Sequence, residues 1–224
     1  RFKVAAFYSI SNCQPGLRGV SLGDFLIKRV AERLQAEQPR LKIFCTLSPI
    51  PGFASWLAKL ESVQSVQAPK VKASVLRELD EALGDLRERY GRDLLALVQA
   101  RPAPAREAAA PAAASAPVPV PVADDDAGNG RIADLHTLQR LCALYLLQTS
   151  PTDARPSDPV ARFHLNNGAR LERINVGADL SRKGVRQSLG LMVNYLYDLE
   201  QIEANHERFA GDRVSASRAV LSLL

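Results

Sequence analysis

Apolar positions change their spacing several times along the chain, and each change marks an element. Residues 3–10 are apolar through their centre without polar alternation, which predicts an internal strand of a sheet covered on both faces. Leu22, Phe25, Leu26, Val30 and Leu34 then recur at three- and four-residue steps while Lys28, Arg29, Glu32 and Arg33 occupy the other faces, the pattern of an amphipathic helix that closes near Pro39. Residues 41–47 read as the next strand, and a strand–helix–strand order with a short connection implies parallel pairing through a right-handed crossover. Ser48 follows at the end of that strand, with Pro49 and Pro51 stiffening the turn before a helix over residues 53–60. Residues 71–99 carry a long helical pattern (Leu76, Leu79, Leu83, Leu86, Leu94, Leu97) that Gly84 and Gly91 divide. A further helix over residues 132–147 has a wide apolar face. Asp158 caps a short helix with Pro159 in its first turn, and Phe163 and His164 lie on that helix. Asn167-Gly168 is a stop, residues 169–175 alternate as a strand, residues 191–199 are rich enough in β-branched and aromatic side chains to be another, and residues 213–224 suggest a terminal helix. The class is α/β: a mixed sheet with flanking helices.

Composition changes abruptly between residues 101 and 130, where Ala, Pro and Val dominate and Asp124-Asp125-Asp126 and Gly128-Asn129-Gly130 close the run. Such a segment buries too little to order itself, so it is expected to be a flexible insert dividing one catalytic domain into residues 1–100 and 131–224. Across the whole chain 46% of residues are hydrophobic and 24% charged, an ordinary globular balance with room for a sizeable core. The net charge of +5 is spread along helices and interleaved with acids, without a basic run or reader motif, so it favours small polyanions over nucleic acid. No apolar run is long enough to span a bilayer, and no membrane partner is expected. Three cysteines without paired spacing (Cys13, Cys45, Cys142) and no visible signal or transit peptide suggest a reduced, cytoplasmic setting. The opening in mid-strand without Met suggests a fragment.

Candidate chemistry gathers first at residues 7–24, where an apolar strand passes through Gly16, Gly19 and Gly23 into the first helix. Glycines let main chain approach a ligand closely, and the helix start offers unpaired N–H groups and a positive dipole end, so an anion is the expected ligand. Ser48 would lie beside this loop at the carboxyl ends of the strands, where α/β sheets bind ligands; the plain alternative is that it caps the helix near Phe53. Of the three histidines, His136 and His206 sit among polar residues and are expected at the surface, whereas His164 follows an apolar Phe. No His/Cys/Asp/Glu group has metal-ligand spacing, so no metal is expected.

Two resemblances sharpen this picture. Arg18-Gly19-Val20-Ser21-Leu22-Gly23 is similar to the pyrophosphate loop of the GNAT acetyltransferases, Arg/Gln-x-x-Gly-x-Gly/Ala, with Ser21 where that pattern has its first glycine. More specifically, residues 7–30, Leu47-Ser48-Pro49-Ile50-Pro51-Gly52-Phe53, residues 158–169 around Phe163-His164-Leu165 and Gly190-Leu191-Met192-Val193-Asn194-Tyr195 resemble the catalytic half of the malonyl-CoA decarboxylase family. That resemblance covers nearly all of the chain apart from the Ala/Pro segment. It implies a GNAT-like sheet and the conversion of malonyl-CoA to acetyl-CoA and CO2, with Ser48 and His164 as the active pair. It also implies coenzyme A held at Arg18, Gly19, Val20, Ser21, Leu22, Gly23 and Asp24, with no cofactor beyond the coenzyme A of the substrate. Asn166, Tyr195 and Tyr197 are further candidates for orienting groups. Family members carry a preceding helical domain, absent from this chain, through which a homo-oligomer is expected. An acyl-CoA-dependent acyltransferase or a non-catalytic acyl-CoA sensor on the same fold is the alternative.

Overall fold

A computed structural model describes residues 2–8, 23–68, 71–99, 126–152 and 158–224. In chain order the elements are β1 (Val4–Phe7), α1 (Gly23–Glu37), β2 (Ile43–Thr46), β3 (Ser48–Pro49), α2 (Phe53–Lys59), α3 (Ala73–Tyr90), α4 (Leu95–Gln99), α5 (Asp126–Leu147), α6 (Pro159–Asn166), β4 (Arg170–Asn175), α7 (Arg182–Ser188), β5 (Met192–Leu196), α8 (Ile202–Ala210) and α9 (Arg218–Leu221). The fold is α/β, a mixed sheet flanked by helices.

β5 is the strand that organises the sheet. Its Leu196 pairs with both Cys45 of β2 and Arg170 of β4, and its Val193 pairs with both Ser48 of β3 and Ile174 of β4. β2 and β3 therefore follow one another along one edge of β5, both antiparallel to it, while β4 takes the other edge. β1 lies outside β2 and parallel to it, as the strand–helix–strand order requires. Because side chains alternate across a strand, Thr46 and Ser48 share one face with Val193 and Tyr195.

Three expectations are corrected. Among the described residues β1 is an edge strand, and its Val4 and Ala6 are exposed, so it is not covered on both faces; alanines raise the apolar count of a strand while giving little surface to bury. In α1 the buried positions are Ile27 and Ala31, whereas Leu26 and Val30 face out. Ala31 has no exposed surface at all, which brings the helix close to its neighbours, and the inward face is set by that approach rather than by the largest side chains. α5 begins at Asp126, inside the stretch expected to be flexible. Its second half, with Leu138, Leu141, Cys142, Leu144 and Leu146 all buried, supplies the packing that lets the helix extend cooperatively toward its start. The remaining insert, residues 101–125, lies outside the described residues.

The long pattern after Val71 divides once: α3 runs through Gly84 and ends at Gly91, whose φ of 80° terminates the helix. The terminal helix is shorter than expected, because Ser215 and Ser217 hydrogen-bond Leu171 of β4 and leave only α9 beyond the Ser217 cap. α7 and α8 have no counterpart in the sequence reading, and Lys28 of α1 pairs with Glu203 of α8 at 2.8 Å.

Candidate active site

Two stiff segments bring the site together. Ser48 and Pro49 form β3, paired with Val193 and Met192, and this fixes the Ser48 side chain on the helix-covered face of the sheet. On the other side α6 starts with a built cap: Asp158 Oδ1 accepts the N–H groups of Val160 and Ala161, and Pro159 fills the first turn. His164 comes in the last turn of α6, against the sheet, and only 3% of its surface is exposed. Ser48 is equally enclosed, at 5%.

The Ser48 Oγ to His164 Nε2 distance is 3.0 Å. The hydroxyl donates to Thr46 Oγ1 at 2.9 Å, so its single proton is committed there. With the donors in this order Ser48 accepts from Nε2–H, and Nδ1 is the unprotonated nitrogen of a neutral ring. Nδ1 in turn accepts from the Tyr197 hydroxyl at 2.7 Å. The hydrogen bonds of the chain Tyr197–His164–Ser48–Thr46 thus run in a single direction. The imidazole also stacks on the ring of Tyr195 at 4.4 Å and 26°, and Phe163 meets it edge-on at 5.1 Å. Stacking and two hydrogen bonds leave the ring no rotational freedom.

Burial decides the protonation states. It pushes His164 down from its ordinary 6.5 to about 4, because no carboxylate among its described neighbours repays the desolvation of a cation. Unlike a histidine at its ordinary value, this imidazole is therefore uncharged at neutral pH. The Tyr197 phenol is pushed up by the same burial and stays protonated. Asp158, fully enclosed, is raised by desolvation, against which the N–H groups of Gly52, Ala161 and Val160 pull down.

The other anticipated residues fall into place unequally. Gly23 and Asp24 open α1, and Arg18, Gly19, Val20, Ser21 and Leu22 lie outside the described residues. Tyr197 joins the pair directly. Tyr195 contributes its ring, and its hydroxyl finds no hydrogen-bond partner among the described residues. Asn166 is placed at the end of α6, where its backbone carbonyl meets Nδ1 of His206 at 2.6 Å. His136 and His206 are exposed, as expected. Thr46 is the participant that sequence reasoning missed; its position two residues before Ser48 on the same strand, hence on the same face, is the signal that would have found it. Among the described residues no group of His, Cys, Asp or Glu could hold a metal ion, and no helix is long and apolar enough to cross a membrane.

Comparison with known proteins agrees along the full length. The family model for the malonyl-CoA decarboxylase C-terminal domain matches residues 1–224. The malonyl-CoA decarboxylase of Rattus norvegicus, named as mitochondrial, is 39% identical over 237 residues that include the whole of this chain and 41% of the rat protein. Crystal structures of malonyl-CoA decarboxylases from Cupriavidus metallidurans and Rhodopseudomonas palustris superpose with TM-scores of 0.68 and 0.65 at 42% and 39% identity. Each match covers 99% of this chain, and 48% and 42% of the respective structures. The chain thus spans less than half the length of the relatives it matches, and over that span it belongs to the malonyl-CoA decarboxylase C-terminal domain family.

Proposed function

We propose that the polypeptide containing this chain converts malonyl-CoA to acetyl-CoA and CO2, with Ser48 and His164 handling the proton. The observation that carries the reading is the 3.0 Å contact between Ser48 Oγ and His164 Nε2 inside an enclosed, aromatic-walled site. Loss of CO2 leaves its electron pair on a carbon conjugated with the thioester carbonyl, so the thioester is the electron sink and one proton must be delivered to that carbon. The free site holds His164 neutral. An anionic malonyl carboxylate brought against Nε2 reverses the balance, because an opposite charge within a few ångströms raises the proton affinity that desolvation lowered. The imidazole then takes up a proton with the substrate and gives it to the α-carbon, by way of the Ser48 pair, once CO2 has left. Tyr197 holds Nδ1 so that Nε2 keeps facing Ser48. The pyrophosphate of coenzyme A is assigned to the loop from Arg18 to Asp24, with the start of α1 supplying N–H groups and a positive dipole end and Arg18 a charge-assisted donor.

The full-length protein tests this directly. Malonyl-CoA alone should give acetyl-CoA and CO2 without metal or added acceptor, and chelator should change nothing. His164→Asn and Ser48→Ala should each lower kcat by roughly 10²–10⁴, the scale of a positioned proton carrier, with little change in coenzyme A affinity. The double variant should be scarcely worse than the poorer single one. Malonyl-CoA that binds yet stays intact until an amine is supplied would transfer the assignment to acyl transfer.

A further inference from the structure

We propose that Asp158 is a positioning residue for the Ser48–His164 pair, a buried clamp between the turn that follows Ser48 and the helix that carries His164. Its two carboxylate oxygens do separate things. Oδ1 caps α6 through Val160 and Ala161, while Oδ2 accepts the backbone N–H of Gly52 at 3.0 Å, from a segment more than a hundred positions earlier in the chain. Gly52 is four residues beyond Ser48, and His164 is six beyond Asp158. The two arms are therefore joined at both ends, by Gly52–Asp158 at one and by Ser48–His164 at the other.

Both arms are stiff. Pro49 and Pro51 fix their own φ angles, Ile50 between them is fully buried, and the Phe53 N–H closes onto the Ile50 carbonyl at 3.1 Å. The other arm is a capped helix. With stiff arms, the position of the Gly52–Asp158 bond sets the separation of Ser48 from His164. Gly52 must also be glycine for the arms to meet: a Cβ there would run into the hydroxyl of Tyr145. That ring packs against both Trp56 at 5.0 Å and Phe53 at 5.8 Å, so moving it would disturb a cluster of three aromatic rings.

Capping alone does not account for an aspartate here. Ser and Asn cap helices about as well as Asp, and neither brings a charge to be desolvated. What they lack is a second acceptor. Asn would turn its NH2 donor toward the Gly52 N–H, and Ser has one oxygen for two tasks. The clamp is the reason for a carboxylate with no exposed surface.

The kinetic arm of the test rests on the decarboxylase reading and the spectroscopic arm does not, so the two can fail separately. In the full-length protein, Asp158→Asn and Asp158→Ser keep the α6 cap and lose the Gly52 tie, and Gly52→Ala disturbs the same tie from the other side. Histidine imidazole ¹⁵N NMR, with His164 assigned by its absence in His164→Asn, reports the hydrogen bond at Nε2. The clamp predicts a shifted Nε2 signal in all three variants. It also predicts kcat per coenzyme A-binding site lower by roughly 10–10²-fold, as expected for a misplacement on the order of 1 Å, with KM within about twofold. Adding Asp158→Asn to Ser48→Ala should then cost little beyond Ser48→Ala alone. An unshifted Nε2 signal would overturn the proposal, as would a kcat per binding site equal to wild type. Failure of all three variants to fold would also overturn it, by making Asp158 a stability element only. If the wild type leaves malonyl-CoA untouched, the proposed function falls and the NMR signal still decides the clamp.

Discussion

Acid should destabilise this domain through His164, by an amount that the enclosed site sets. Burial lowers its folded-state pKa to about 4, against 6.5 for the ordinary group that stands for the unfolded chain. As pH falls, the unfolded chain takes up this proton first, so the contribution is fully present above about pH 6.5 and is lost progressively down to about pH 4. Each unit of difference corresponds to about 1.4 kcal/mol, and between pH 7 and pH 4.5 the loss comes to about 2 kcal/mol. Other groups slope the same way: Asp80 is held down by Gln64, Val63 and Ser62, and the exposed Glu78 and Glu203 by Arg140 and Lys28. Asp158, raised, slopes against them. Urea unfolding of wild type and His164→Asn at both pH values separates the contributions, since only the difference between the two proteins belongs to His164. That difference should shift by about 2 kcal/mol against the wild type on going to pH 4.5. A difference that stays flat would mean that the imidazole is solvated or paired with an anion, and the neutral-histidine account of the site would fail with it.

Tyr197→Phe removes the hydroxyl on Nδ1 and should lower kcat about tenfold with KM little changed, measured by acetyl-CoA release, since it frees the ring without touching Ser48. Gly168→Ala should cost at least about 2 kcal/mol in urea unfolding, because Gly168 has φ +75° and a Cβ there meets the Ile202 carbonyl at the start of α8. Cys142, buried on α5 with its thiol raised by desolvation, should resist alkylation in the folded protein and react only on unfolding, whereas Cys45, partly exposed, should be modified first of the two; peptide mass mapping over time distinguishes them.

The sequence carried much of the local structure and less of its arrangement. The parallel pairing of β1 and β2, the strands β4 and β5, and α6 with its Asp158 cap and Pro159 were legible because each rests on short-range rules of alternation, capping and proline geometry. The faces of α1 were not, since Ile27 and Ala31 are chosen by what the helix approaches. That β2 and β3 share one edge of β5 was equally hidden: it depends on a pairing between residues near position 48 and residues near position 193, which no local pattern announces. The pair itself was nominated through family motifs, and His164 taken alone would have passed for a packing histidine. Its partners Thr46 and Tyr197 show how far the topology had to be known, since one comes from the strand before Ser48 and the other follows β5.

One physical cause ties these features together. The same enclosure that lowers His164 raises Tyr197, and it keeps both groups uncharged. A proton on the imidazole would face the Tyr197 hydroxyl, which would then have to turn its oxygen toward Nδ1 and seek another acceptor for its own proton, and the described neighbours offer none. Resting neutrality is therefore built into the packing as well as into the dielectric. Low dielectric also strengthens whatever charge enters, so a carboxylate arriving at Nε2 acts on the imidazole far more strongly than it would in water. On the proposed function, a site that rejects a proton while empty and accepts one with an anionic substrate couples proton uptake to binding. That matches the stoichiometry of decarboxylation, in which one proton is consumed for each CO2 released. Holding the ring by Tyr197, Tyr195 and Ser48 beforehand means, on the proposed function, that this switch needs no more than a turn of the Tyr197 hydroxyl, close to what preorganised electrostatics requires of a catalytic pair.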